Sequence, residues 1–166
     1  MPGAGDVNIT GSLLLEQGPY GVFIKGEIIG LGSGLHGFHV HMTGDTGNYC
    51  KAAGGHFNPY EQQHSSPRSL SRHAGDLGNI ITIEGSAITV VSLVDNVITL
   101  GDGGETDVAN RAIVVHAGQD DLGLGRGDQV RSRGHSGDCN TISSRRRKAR
   151  RRATLVPGSL VASSKW

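Results

Sequence analysis

Apolar residues along this chain come in short runs with a period of two, separated by glycine, proline and asparagine. Residues 7–31 predict two strands, the first carried by the brief, partly alternating runs Val7–Thr10 and Ser12–Glu16. Gln17–Gly21 reads as a turn, and Val22–Leu31, rich in β-branched residues, follows as a strand. Leu35–Met42 predicts another, and Ile80–Ile83, Ala87–Val94, Ile98–Leu100 and Ala112–His116 complete the series. No stretch has a helical period of useful length, and no internal repeat occurs. Many short strands with regular turns describe an all-β sandwich or barrel.

Two stretches lack any period. Residues 43–79 are rich in Gly, Asn, Pro, His and Ser, and residues 117–139 are Gly-rich and polar. An irregular segment of that length inside a compact domain is usually functional.

Composition supports an ordered β protein. The 27 glycines and 4% aromatic residues suit a loop-rich fold, while 36% apolar content and a net charge of +1 argue against disorder. The even balance hides an asymmetry. Residues 1–140 contain all 15 acidic residues and 8 basic ones, whereas residues 141–166 contain 8 basic and none acidic. Residues 145–152 hold 7 basic residues in 8. The expected organisation is one domain over residues 1–142 and a basic, disordered tail over residues 143–166. The tail has no interleaved aromatic residues to stack on bases, so nucleic acid is not the expected partner. No 18-residue apolar run occurs and Met1–Asp6 lacks the pattern of a secretory signal, so the expected compartment is the cytoplasm, with no membrane partner.

The histidines carry the chemistry. His39 and His41, two apart on a strand, share one face. His56, His64, His73 and Asp76 come from the long irregular segment, and His116 ends a later strand. Imidazole suits copper and zinc, and one carboxylate among imidazoles suits zinc. Six histidines and an aspartate in this arrangement predict a metal centre. His36, out of phase with His39 and His41, reads as structural, and His135 as a solvated loop residue.

Four motifs are specific. Gly37-Phe38-His39-Val40-His41 with Gly44-Asp45, Gly55-His56-Phe57-Asn58-Pro59, Arg72-His73-Ala74-Gly75-Asp76-Leu77-Gly78-Asn79, and Val114-Val115-His116 with Asp120-Asp121-Leu122-Gly123 occur in that order. In these the chain resembles the copper/zinc superoxide dismutase family, from about Asp6 to Cys139. The resemblance implies a Greek-key β-barrel with long metal-binding and electrostatic loops, and disproportionation of superoxide to oxygen and hydrogen peroxide. It implies copper on His39, His41, His56 and His116 and zinc on His56, His64, His73 and Asp76. His56 would be the bridging imidazolate and the catalytic proton carrier. Asp120 would hydrogen-bond one histidine of each metal. Cys50 and Cys139 would form the family's disulfide, and a homodimer is the usual assembly.

The chain also departs from the family. Ser136 stands three residues before Cys139, where the family has an arginine that draws superoxide to copper, and Arg133 is the nearest substitute. The family's first and last strands have no clear counterpart, so the barrel is expected to be incomplete at both ends. These departures leave a second reading, a metal-binding relative with weak or no turnover.

Overall fold

The computed structural model of the chain describes residues 9–47, 51–125, 139–144, 151–156 and 159–162, the last three stretches through their backbone alone. Nine strands form one curled sheet: β1 Thr10–Gly18, β2 Gly21–Ile29, β3 Gly34–Val40, β4 Asp76–Thr82, β5 Ile88–Asp95, β6 Ala112–His116, β7 Cys139–Ser144, β8 Arg151–Val156 and β9 Ser159–Ala162. Their spatial order is β4-β3-β6-β7-β9-β8-β1-β2-β5, and every pairing is antiparallel except β7 with β9. One 3₁₀ turn, Lys51–Ala53, is the only helical element among the described residues.

Alternation builds the core. Leu13 and Leu15 of β1 and Val22, Ile24 and Ile28 of β2 are buried, while Phe23 and Ile29 face out. On β6 the whole run Ala112–Val115 is buried, as befits a strand covered on both faces. Phe38 and Val40 of β3 meet these residues in one cluster. The sheet's two ends, β4 and β5, are consecutive in the chain and joined by the turn at 83–87. Buried Thr82 Oγ1 and Thr89 Oγ1 share a hydrogen bond of 2.6 Å, which brings the ends together and closes the sheet as a flattened barrel. The links from β2 to β3 and from β5 to β6 join strands that are not neighbours, which makes the topology Greek-key.

Several boundaries differ from the sequence expectation. The first strand starts at Thr10 and runs to Gly18, into the expected turn, with Gly11 keeping its place in the ladder opposite Ile28. Ile98–Leu100 is not a strand. It makes a single bridge, Thr99 with Asp107, since the Asp95 carboxylate accepts the amides of Val97 and Ile98 and turns the chain away. Asp76 does not lie in the irregular segment but opens β4. The boundary expected at residue 142 falls inside β7, and the backbone beyond it returns as β8 beside β1, pairing Ser12–Leu15 with 151–154. The sheet is therefore continuous through β1 and β7–β9. The apolar Ala153–Val156 and Ser159–Ala162 stretches are strand-like themselves, but the arginine run before them dominates the sequence reading.

Candidate metal centre

The centre is set where β3, the start of β4 and the end of β6 meet. His39 pairs across the sheet with Asp76 on one side and Val114 on the other. The β3–β4 register needs an extra residue: Gly37 faces Asn79, but His39 faces Asp76. That bulge falls at Gly78, whose φ of 84° is a left-handed conformation that favours glycine. Since a one-residue slip sends every later side chain to the opposite face, the bulge puts Asp76 on the same side as the histidines.

Beneath the side chains lies a closed ring of backbone hydrogen bonds. Val40 N–H donates to Gly75 O (2.9 Å), Gly75 N–H to Phe57 O (2.8 Å), and Phe57 N–H to Val40 O (2.8 Å). Val40 separates His39 from His41, Phe57 follows His56, and Gly75 precedes Asp76. Three remote segments are thus held edge to edge. His41 and His56 form a further bridge.

Two groups of four ligand atoms result, each with all atoms within 4.8 Å of one another: His39, His41, His56, His116, and His56, His64, His73, Asp76. His56 alone belongs to both. Its ring stacks on His39 at 4.0 Å between centroids, while its Nδ1 lies 2.8 Å from Asp76 Oδ1. An imidazole has nitrogens on opposite edges, so one ring can serve both groups.

The partners of the other nitrogens fix which atoms face inward. His39 Nε2 donates to Asp120 Oδ2 (2.8 Å), and His41 Nδ1 donates to the Gly54 carbonyl (2.7 Å). That leaves His39 Nδ1 and His41 Nε2 buried with no hydrogen-bond partner, and His116 Nε2 is buried and unpartnered too. Orphaned buried nitrogens are costly unless something fills the space between them. Burial also lowers the imidazole pKa values: His39 falls well below the usual range, His41 to about 3 and His116 to about 4, with the neighbouring His56 adding to each. All three are neutral at physiological pH, as metal ligands must be.

The second group closes on one oxygen. Asp76 Oδ1 lies 2.8, 3.0 and 3.1 Å from the Nδ1 atoms of His56, His64 and His73. The His64 Nδ1 contact has ion-pair distance without hydrogen-bond geometry. Such crowding matches the edge of a small tetrahedron, about 3.3 Å for ligands at about 2.0 Å from a central ion. The other oxygen, Oδ2, accepts the backbone amides of Ser65 and His73. Burial opposes the charge of Asp76, but hydrogen bonds from His56 and His73, with the His64 ring close by, outweigh it and hold the carboxyl far below its ordinary range.

Asp120 ties the groups together. It is fully buried and accepts from His39 of the first group and from His64 Nε2 of the second (2.7 Å). Its backbone is clamped by Asn79, which donates to Asp120 O and accepts from Asp120 N. His36 is buried outside the centre, its ring nitrogens 3.0 Å from His116 O and 2.8 Å from Gly32 O. Arg72, also buried, donates to the carbonyls of His73, Ala74 and Asp76 and pairs with Asp95. A cleft of about 740 Å³ opens over His56, His64 and His73.

All six histidines, Asp76 and Asp120 are therefore brought together. Cys50, Arg133, His135 and Ser136 lie outside the described residues, and Cys139 is described through its backbone alone, opposite His116 in β7. Sequence reasoning missed Asn79, Gly75 and Arg72 as supports, although all three stand in the third motif.

Comparison with known proteins agrees with this architecture. The profile of the copper/zinc superoxide dismutase family matches residues 9–143. Superoxide dismutase [Cu-Zn] 4 of Dictyostelium discoideum is 45% identical over 131 residues, covering 78% of this chain and 85% of that one. An extracellular superoxide dismutase [Cu-Zn] of Caenorhabditis elegans is 39% identical over 137 residues, 81% of this chain and 61% of that protein. Among solved structures, the clock protein EA4 superposes with a TM-score of 0.68 at 33% identity, covering 84% of this chain and 94% of that one. The chain belongs to the copper/zinc superoxide dismutase family. Among the described residues no helix is long and apolar enough to cross a membrane.

Proposed function

We propose that the protein disproportionates superoxide at a centre in which His39, His41, His56 and His116 hold copper and His56, His64, His73 and Asp76 hold zinc. The observation that carries this reading is the pair of four-ligand groups sharing His56. Four imidazoles suit copper, and three imidazoles with one carboxylate suit zinc. The chemistry a bound copper supplies is a one-electron couple that oxidises one superoxide to oxygen and reduces a second to peroxide.

The chain's own residues do the rest. Asp120 fixes the ring orientations of His39 and His64 at once, so the two groups cannot drift apart. Gly54 O does the same for His41. His56 keeps its Nδ1 toward Asp76, so its Nε2 is the atom placed to hold a proton and pass it to the departing peroxide. Neutral, buried His39, His41 and His116 present lone pairs without first losing protons.

The compartment is not common to the relatives, whose names include extracellular enzymes.

Metal content of the purified full chain tests the assignment. After loading with both ions and removal of excess, one copper and one zinc per chain are expected, and His56→Ala should lower both contents. Loss of only one metal in His56→Ala would refute the shared ligand.

A further inference from the structure

We infer that Arg111 is a positioning residue for the first group, its guanidinium clasping the two backbone segments that carry His41 and His56. The inference rests on the reading of these histidines as metal ligands. Val40–Met42 and Gly55–Phe57 run side by side, with Met42 N–H on Gly55 O (2.9 Å) and Phe57 N–H on Val40 O (2.8 Å). The His41–His56 bridge lies just beyond the end of β3, and two bonds flanking one bridge are little to hold two ligands in register.

Arg111 closes it from the side. Its Nη1 donates to the carbonyl of Met42, on the His41 segment. Its guanidinium carbon lies 3.6 Å from the centroid of Phe57, on the His56 segment, a cation–π geometry. Its Nε donates to Asp107 O at 3.0 Å, which fixes the side chain's base to the loop before β6. The following residue, Ala112, receives the His41 amide on its carbonyl (2.8 Å) and gives its own to Thr43 O (2.9 Å). Arg111 thus stands where the segments bearing His41 and His56 meet the strand that ends at His116. Its contacts with Met42 and Phe57 fall on the segments of His41 and His56. The first group holds both His41 and His56 and the second holds only His56, so the effect should be larger in the first group.

Arg111→Met keeps a long side chain but loses the charge and the donors. Arg111→Lys keeps a cation for the Phe57 ring without the planar fork that spans both carbonyls. Phe57→Leu removes the ring and keeps an apolar side chain. Hydrogen exchange on the metal-free full chain reads the clasp directly. The Met42 and Phe57 amides should lose protection on the order of tenfold in Arg111→Met and Phe57→Leu, and less in Arg111→Lys, with the β1–β2 ladder unchanged. In the copper-loaded chain the Cu(II) electron paramagnetic resonance spectrum should shift in the same order, and more than the spectrum of Co(II) in the second group. Parent-like protection of Met42 and Phe57, or loss shared equally by the β1–β2 ladder, would overturn the inference. If the parent chain takes up no copper, the metal reading fails by itself, and the exchange pattern still decides for or against the clasp.

Discussion

A methyl group added at Gly75 has no room. A Cβ there would lie 2.2 Å from Val40 O and 3.0 Å from Phe57 N, both backbone atoms of the ring beneath the metal centre. The ring must open, and Gly75→Ala should break the Val40-to-Gly75 and Gly75-to-Phe57 hydrogen bonds together. Each buried group left unpaired costs ~1–3 kcal/mol, so two broken bonds cost roughly 4 kcal/mol. For a chain of this length that corresponds to a fall of about 8–16 °C in melting temperature. The assay is thermal unfolding of the metal-free protein, where metal occupancy does not add to stability. Because Val40 lies between His39 and His41 and Gly75 precedes Asp76, titrations should then show weaker binding of both metals. A melting temperature within about 2 °C of the parent, or a large loss of stability with both affinities unchanged, would refute the reasoning.

Three further outcomes follow from the same geometry. Asp120→Ala, which removes the acceptor oxygens of both His39 and His64, should weaken copper and zinc alike by about 10–100-fold, as competition with a chelator would show. Asp95→Ala leaves Arg72 buried without its ion partner and should cost ~3–5 kcal/mol in denaturant unfolding. The two groups should differ in pH dependence. Burial opposes charge on His64, but Asp120 and Asp76 push its pKa up to about 10, so an ion entering the second group must expel that proton. Zinc affinity should rise about tenfold per pH unit around neutrality, whereas His41 and His116, which lose their protons above about 3 and about 4, add no such dependence at the first group. In the metal-free chain the signs oppose. The His64 contribution to stability is complete below about pH 6.5 and lost as pH rises through about 10; those of His116 and His41 are complete above about 6.5 and lost as pH falls through about 4 and 3.

Much of the site is legible in the sequence because its ligands are rare residues in local patterns. His39 and His41 share a face by simple strand alternation, and His56, His64 and His73 crowd into a segment with no other periodic role. What is not legible is non-local. Asp76 reads as a loop residue because the bulge at Gly78, which admits it to β4, depends on pairing with β3. Gly75 looks like any other loop glycine until Val40 and Phe57 close around it. Asn79 and Arg111 act on segments 41 and 69 residues away, and no spacing rule links them. At the C-terminal end the charge of Arg145–Arg152 outweighs the short β-branched stretches after it, so strands β8 and β9 are hidden in a segment that reads as a tail.

The central claim is that this paired centre turns superoxide over. Its most direct test is the decay of superoxide with the full chain carrying one copper and one zinc, in the presence of a chelator that silences unbound copper. Catalytic decay that vanishes in the zinc-only protein and in His116→Ala is the predicted result. Stoichiometric copper with decay no faster than in the zinc-only protein would contradict it.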